Sequence, residues 1–170
     1  LKAVIKYGTG SRTINTLKLT GAGQLSDENN LLAIGRLVSD GGTLNDTNWD
    51  GLLGTGRTYT STNNITLGAN GLTVDIASIH TLDRKLTGTG DLTKKGDGTL
   101  TLTETNDYTG DTSVSSGTLD LARANAAGKG TVDVAGGATL RLSASGTYTN
   151  SALQGASGST LEVTNTGVSV

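Results

Sequence analysis

The chain has 170 residues, a formal net charge of -2 and 26 glycines, and it lacks Pro, Cys, Met and Phe. Hydrophobic residues make up 34% and aromatics 3%, which argues against a round core filled by large rings and suits a thin interior of stacked Leu, Val, Ile and Ala. The charge gives no electrostatic case for nucleic acid or an anionic membrane, and the absence of Cys excludes a disulfide framework and any thiol-based zinc or redox motif.

The missing Met marks the chain as a mature fragment or an excised piece, with any export signal or anchor outside it. Leu1 to Tyr7 does not read as a signal peptide, and no stretch approaches the apolar length of a membrane helix. A chain without Cys also suits passage, unfolded, through an oxidising space.

Glycine interrupts almost every window, and Thr, Asn and Asp abound, so propensity runs against helix. Along the first half, "SRTINTLKLTG", "NLLAIGRLVSDGGTL" and "NNITLGANGLTVDI" read as strands parted by Gly-rich corners. Their expected inward residues are Ile14, Leu17, Leu19, Leu31, Ile34, Leu44, Ile65, Leu67, Leu72, Val74 and Ile76. The stretch from Asp46 to Tyr59, which holds Trp49, breaks this rhythm and is expected to bulge as a loop. Ala122 to Ala127 is the best helical candidate, but it is short, ends at Gly128, and is read as a loop or a single turn.

From residue 100 onward the leucines keep time. Leu100 to Leu119 is 19 positions, and Leu119 to Leu140 and Leu140 to Leu161 are 21 each. A second series, Val114, Val134, Leu153 and Val170, has spacings of 20, 19 and 17. Two strand series sharing a period of about 20 mark a solenoid, in which each turn of chain buries its leucines only by stacking on the next. Hairpin signals at Asp50-Gly51, Asn70-Gly71 and Asp97-Gly98 do not recur at meander spacing. The expected fold is therefore all-β, a parallel β-helix of about eight coils, with three short strands and three corners per coil. Asp120, Arg141 and Glu162 each lie between paired apolar residues and are expected to share one solvent-facing column. The pair Lys94-Lys95 is expected at a solvated strand edge or turn.

One segment is more specific. It reads Gly88-x-Gly90-x-Leu92-x-Lys94-x-Gly96-x-Gly98-x-Leu100-x-Leu102, then Asn106-x-Tyr108-x-Gly110-x-Thr112-x-Val114-x-x-Gly117-x-Leu119-x-Leu121. This pattern resembles the passenger-associated transport repeat of Gram-negative autotransporters. The resemblance implies a right-handed parallel β-helix displayed through an outer-membrane β-barrel. It further implies an autochaperone region, which folds first outside the cell and templates the coils behind it. The expected organisation is one continuous solenoid: less regular coils over 1–87 with a loop near 46–59, the repeat over 88–121, and C-terminal coils over 122–170. The folding motif comprises Gly90, Leu92, Lys94, Gly96, Gly98, Leu100, Leu102, Asn106, Tyr108, Gly110, Val114, Gly117, Leu119 and Leu121.

Signals for chemistry are sparse. His80 is the sole histidine, and no Gly-x-Ser-x-Gly elbow accompanies it, so a Ser-His-Asp triad is not expected. The Asp120, Arg141 and Glu162 column reads as cross-coil pairing rather than as a lyase or hydrolase site. "GTGDLTKKGDG" is one poor copy of a calcium nonapeptide, which needs tandem copies. Thr99, Thr101 and Thr103 share a strand face, but as one row rather than a flat array. Asn106 and Tyr108 are read as structural. Trp49, alone in a Gly-rich loop, is a candidate contact for sugar or protein.

The expected function is thus non-catalytic. The chain would be a scaffold and autochaperone section of a surface passenger whose parent is an adhesin or virulence factor. The resemblance implies export through the periplasm to the cell surface, the outer membrane or the medium. Expected partners in cis are the protein's own C-terminal β-barrel translocator and the remaining passenger. A host surface protein or glycan is an alternative partner, with the chain then acting as an adhesive module. A β-helical carbohydrate-active enzyme is a third reading. No cofactor, metal or nucleic acid is expected.

Overall fold

The computed structural model describes residues 2–4, 12–20, 24–26, 32–45 and 64–170. The strands of its first part are β1 (Lys2–Val4), β2 (Arg12–Thr20), β3 (Gln24–Ser26), β4 (Leu32–Asp40), β5 (Gly42–Asn45), β6 (Ile65–Leu67), β7 (Leu72–Asp75), β8 (Ile79–Leu82) and β9 (Leu86–Gly88). There follow β10 (Leu92–Lys95), β11 (Thr99–Leu102), β12 (Thr112–Val114), β13 (Thr118–Leu121), β14 (Thr131–Val134), β15 (Thr139–Leu142), β16 (Gly146–Thr147), β17 (Ala152–Gly155), β18 (Thr160–Val163) and β19 (Val168–Ser169). No helix occurs among the described residues, and Ala124 to Ala127 form a turn.

Every pairing is parallel, and each strand pairs with the strand one coil away. The result is a β-solenoid with roughly 21 residues per turn. One face is an 8-stranded sheet in the order β1-β3-β5-β7-β10-β12-β14-β17, and a second is the 5-stranded sheet β18-β15-β13-β11-β8. The third face is split into β2-β4-β6-β9 and the pair β16-β19. Between β9 and β16 it is interrupted, and the coils there run through irregular segments that carry Asn106, Tyr108 and the turn at 124–127.

Alternation explains the burial. In β11, β13, β14 and β15 the second and fourth residues are buried and the first and third half-buried. Leu100, Leu119, Leu140 and Leu161 stand in register, as their spacing predicts. His80 takes the same register position one coil earlier, opposite Leu100, and is buried. The expected inward residues Leu44, Ile65, Leu67, Leu72, Val74 and Ile76 are all in the core. The side chains of Ile14, Leu17, Leu19, Leu31 and Ile34 lie outside the described set, as does the 46–59 segment with Trp49.

Two expectations need correction. Val114 and Val134 do pair, but Val134 is then followed by Gly155, and Leu153 stands opposite Val132. Val170 lies beyond β19, outside that sheet altogether. The coils here differ in length by one or two residues, so equal sequence spacing slides across the register. The second correction is Lys94. It is not at a solvated edge but fully buried, in register with Val74 and Val114, while only Lys95 faces solvent.

Candidate functional site

The repeat residues divide by role. Leu92, Leu100, Leu102, Val114, Leu119 and Leu121 fill the core. The glycines let coils approach. A Cβ on Gly90 would lie 1.7 Å from the Gly68 carbonyl oxygen, an impossible separation, so only glycine fits beneath that coil. Gly96, Gly98, Gly110 and Gly117 likewise sit against backbone of the preceding coil.

Three polar side chains of the repeat reach between coils. Asn106 is buried where the third sheet is interrupted. Its Oδ1 accepts the Leu86 backbone N–H at 2.7 Å, and its Nδ2 donates to the Ala126 carbonyl at 2.5 Å. One amide thus joins three successive coils, supplying a donor and an acceptor as a peptide group in a ladder would. Tyr108 is also fully buried, and its hydroxyl meets Thr112 Oγ1 at 2.5 Å. Thr112 Oγ1 in turn donates to the Ala127 carbonyl at 3.0 Å, so Tyr108 is the donor in the first link. Burial pushes the Tyr108 hydroxyl well above the usual phenol range, which keeps it a neutral donor. Gly128 closes over this ring: its φ is +70°, and a Cβ there would meet the ring at 2.7 Å. The third side chain is Lys94, whose Nζ donates to the carbonyls of Lys95 and Gly96 at 2.7 Å each and of Ser116 at 3.3 Å.

Sequence reasoning named Thr112 only as a place in the repeat pattern and Gly128 only as the end of the helical candidate, and gave neither a role. It also missed a ladder of aspartates, in which Asp91 Oδ1 accepts the Asp111 N–H and Asp111 Oδ1 accepts the Thr131 N–H, both at 2.8 Å. Asp before a strand in successive coils was the available signal. Asp91 is therefore engaged with the next coil's backbone, and among the described residues no group of three metal-ligating side chains exists. Asp40 does the same for Asn70, and those hydrogen bonds hold its carboxyl below the ordinary range. Asp83 moves the other way, because desolvation outweighs its own backbone N–H and the Arg84 charge.

The predicted charge column is present. Asp120, Arg141 and Glu162 are in register, with Arg141 Nε 2.8 Å from Glu162 Oε2 and Nη1 3.9 Å from Asp120 Oδ2. All three groups are partly solvated, so a double-mutant cycle on Arg141 and Glu162 is expected to give a coupling of only about 0.2–1 kcal/mol, weaker still in 1 M salt. Thr99, Thr101 and Thr103 share one half-buried face, alternating with buried Leu100 and Leu102 as expected, and Thr99 also continues into a column with Thr118, Thr139 and Thr160. Beside it, Thr101 is followed by the charged column, so the face is not a uniform array.

A parallel solenoid with Gly corners and side-chain staples between coils defines a stacked structural module. Residues 92–121 match the family model described as the passenger-associated-transport-repeat. The chain is also 35% identical over 139 residues, 78% of its length, to the adhesin BmaC autotransporter of Brucella suis biovar 1 (strain 1330). It spans only 4% of that relative. No solved structure matches. With the solenoid fold, these two matches support assignment of the chain as an autotransporter passenger region.

Proposed function

We propose that the chain is a non-catalytic section of a surface autotransporter passenger, acting as β-helical scaffold and as the autochaperone that nucleates passenger folding during outer-membrane translocation. The observation that carries this reading is the stapling by side chains of 88–121: Asn106 and Lys94 hydrogen-bond backbone groups of neighbouring coils, and Tyr108 bonds Thr112, which itself donates to Ala127 of the next coil. In a solenoid each coil's stability depends on its neighbours, so the costly step is the first stacked pair. Coils that complete each other's buried hydrogen bonds are suited to be that pair, and later coils dock on them. On this reading 88–121 is the nucleus, with 1–87 and 122–170 as coils built against it in one continuous solenoid.

The similarity to a protein named an adhesin supports an adhesin or virulence factor as parent, exported through the periplasm and displayed or secreted. Its partners in cis would be its own β-barrel translocator and the rest of the passenger. Deleting residues 88–121 in the parent is expected to leave the passenger protease-sensitive on intact cells. Unchanged protease resistance would sink the nucleation role. The adhesin name also favours a second reading, an adhesive module for glycan or host protein, with Trp49 as contact. Glycan-array binding lost on Trp49→Ala would favour it.

A further inference from the structure

The columns that hold the solenoid together discriminate poorly between one coil and the next. β10 pairs with β12, so that Leu92 meets Thr112 and Lys94 meets Val114. Moved one coil further, onto β14, it would meet Val132 and Val134, which occupy the same register positions. On the neighbouring sheet, β11 would exchange Leu119 and Leu121 for Leu140 and Leu142. An incoming coil that skips its neighbour therefore still finds apolar residues opposite apolar ones. The longer loop left behind adds little entropy cost, because closure depends only logarithmically on length.

Lys94 is different in kind. It places an ammonium inside a column that runs through buried Leu44, Val74, Val114 and Val134. Two of the Nζ acceptors, Lys95 and Gly96, belong to its own corner, and Ser116 belongs to the next coil. That next corner has an unusual length. Three residues, Ser115, Ser116 and Gly117, separate Val114 from Thr118, whereas four separate Lys94 from Thr99 and four separate Val134 from Thr139. The corner after β14 is one residue longer, so its carbonyls cannot superpose one for one on those of Ser115–Gly117.

We propose that Lys94 fixes the stacking register of the solenoid: its buried ammonium accepts the Ser115–Gly117 corner as the next coil and rejects the others. A wrong coil shuts the charge away from water without its full set of acceptors, and that penalty exceeds any difference between the apolar columns. Register selection is the best-attested use of a buried polar group among apolar ones. The proposal concerns coil alignment and does not depend on where folding begins.

The chain has no Cys, so introduced pairs report register cleanly. Thr93 and Ser113 are direct partners, and Ser113 is the direct partner of Asp133. A Cys pair at 93 and 113 reports the native alignment. A pair at 93 and 133 lies two strand spacings apart, about 9.5 Å, and is bridged only after a one-coil slip. Each pair is introduced into the 170-residue chain with Lys94 or with Lys94→Met, refolded from denaturant and oxidised. With Lys94, the 93–113 bridge should dominate. With Lys94→Met, the 93–133 bridge should rise at least tenfold while the 93–113 bridge falls. A merely structural role would weaken both bridges together. If Lys94→Met does not fold stably, Lys94→Gln is read in the same refolding assay, since bridging captures populated alignments without a stable end state. No increase in the 93–133 bridge in either variant overturns the proposal.

Discussion

Replacing Asn106 with Leu should destabilise the solenoid by about 2–6 kcal/mol, measured by denaturant unfolding of the 170-residue chain. Leu has the same branched shape and is larger, so the loss is not a cavity. It is the orphaning of two buried groups, the Leu86 N–H and the Ala126 carbonyl, at about 1–3 kcal/mol each. Neither has a strand to turn to, because the third sheet is interrupted in these coils. Asn106→Asp separates the two bonds. A carboxylate still accepts from Leu86 but faces the Ala126 oxygen, and it can donate there only when protonated. Burial and that oxygen both favour the neutral form, so the folded-state pKa lies above the unfolded value near 3.9. The stability of Asn106→Asp should therefore be greatest below about pH 4 and fall as pH rises through the folded pKa. A flat difference from the parent between pH 4 and 8 would show that the Nδ2 bond contributes nothing.

What the sequence reveals and hides here follows from how far each signal reaches. Leu100, Leu119, Leu140 and Leu161 announce their stack because each sits at the same point of a Thr-Leu-x-apolar strand. The polar residue between each apolar pair must then share a column, which is why Asp120, Arg141 and Glu162 were legible as a ladder. Lys94 was not, because hydropathy treats a lysine as surface until acceptors are known, and those acceptors are corner carbonyls of two coils. Leu153 was misplaced because its series assumed a constant coil length, while the chain shortens one corner and lengthens the next. The aspartate ladder and the Tyr108–Thr112 link were hidden for a related reason. Their partners lie a coil away, or answer a geometry that only stacking creates.

The second large effect is expected at Tyr108. Tyr108→Phe removes one hydrogen bond and leaves Thr112 donating to Ala127, so it should cost only about 1 kcal/mol. Tyr108→Ala empties a fully buried site between coils and should cost about 3–5 kcal/mol. The ring and Gly128 are also coupled. In the parent, Gly128→Ala suffers twice, from a φ of +70° and from a Cβ 2.7 Å from the ring. Once Tyr108 is Ala the second penalty disappears and the first remains. A double-mutant cycle should therefore show Gly128→Ala costing less in the Tyr108→Ala background, by about 0.5–3 kcal/mol. Strict additivity would mean that the turn at 124–128 is fixed by its backbone alone. Coupling would mean that the ring shapes the turn. In that case the coil carrying Ala126 and Ala127 takes its path from the coil beneath it, as templated stacking requires.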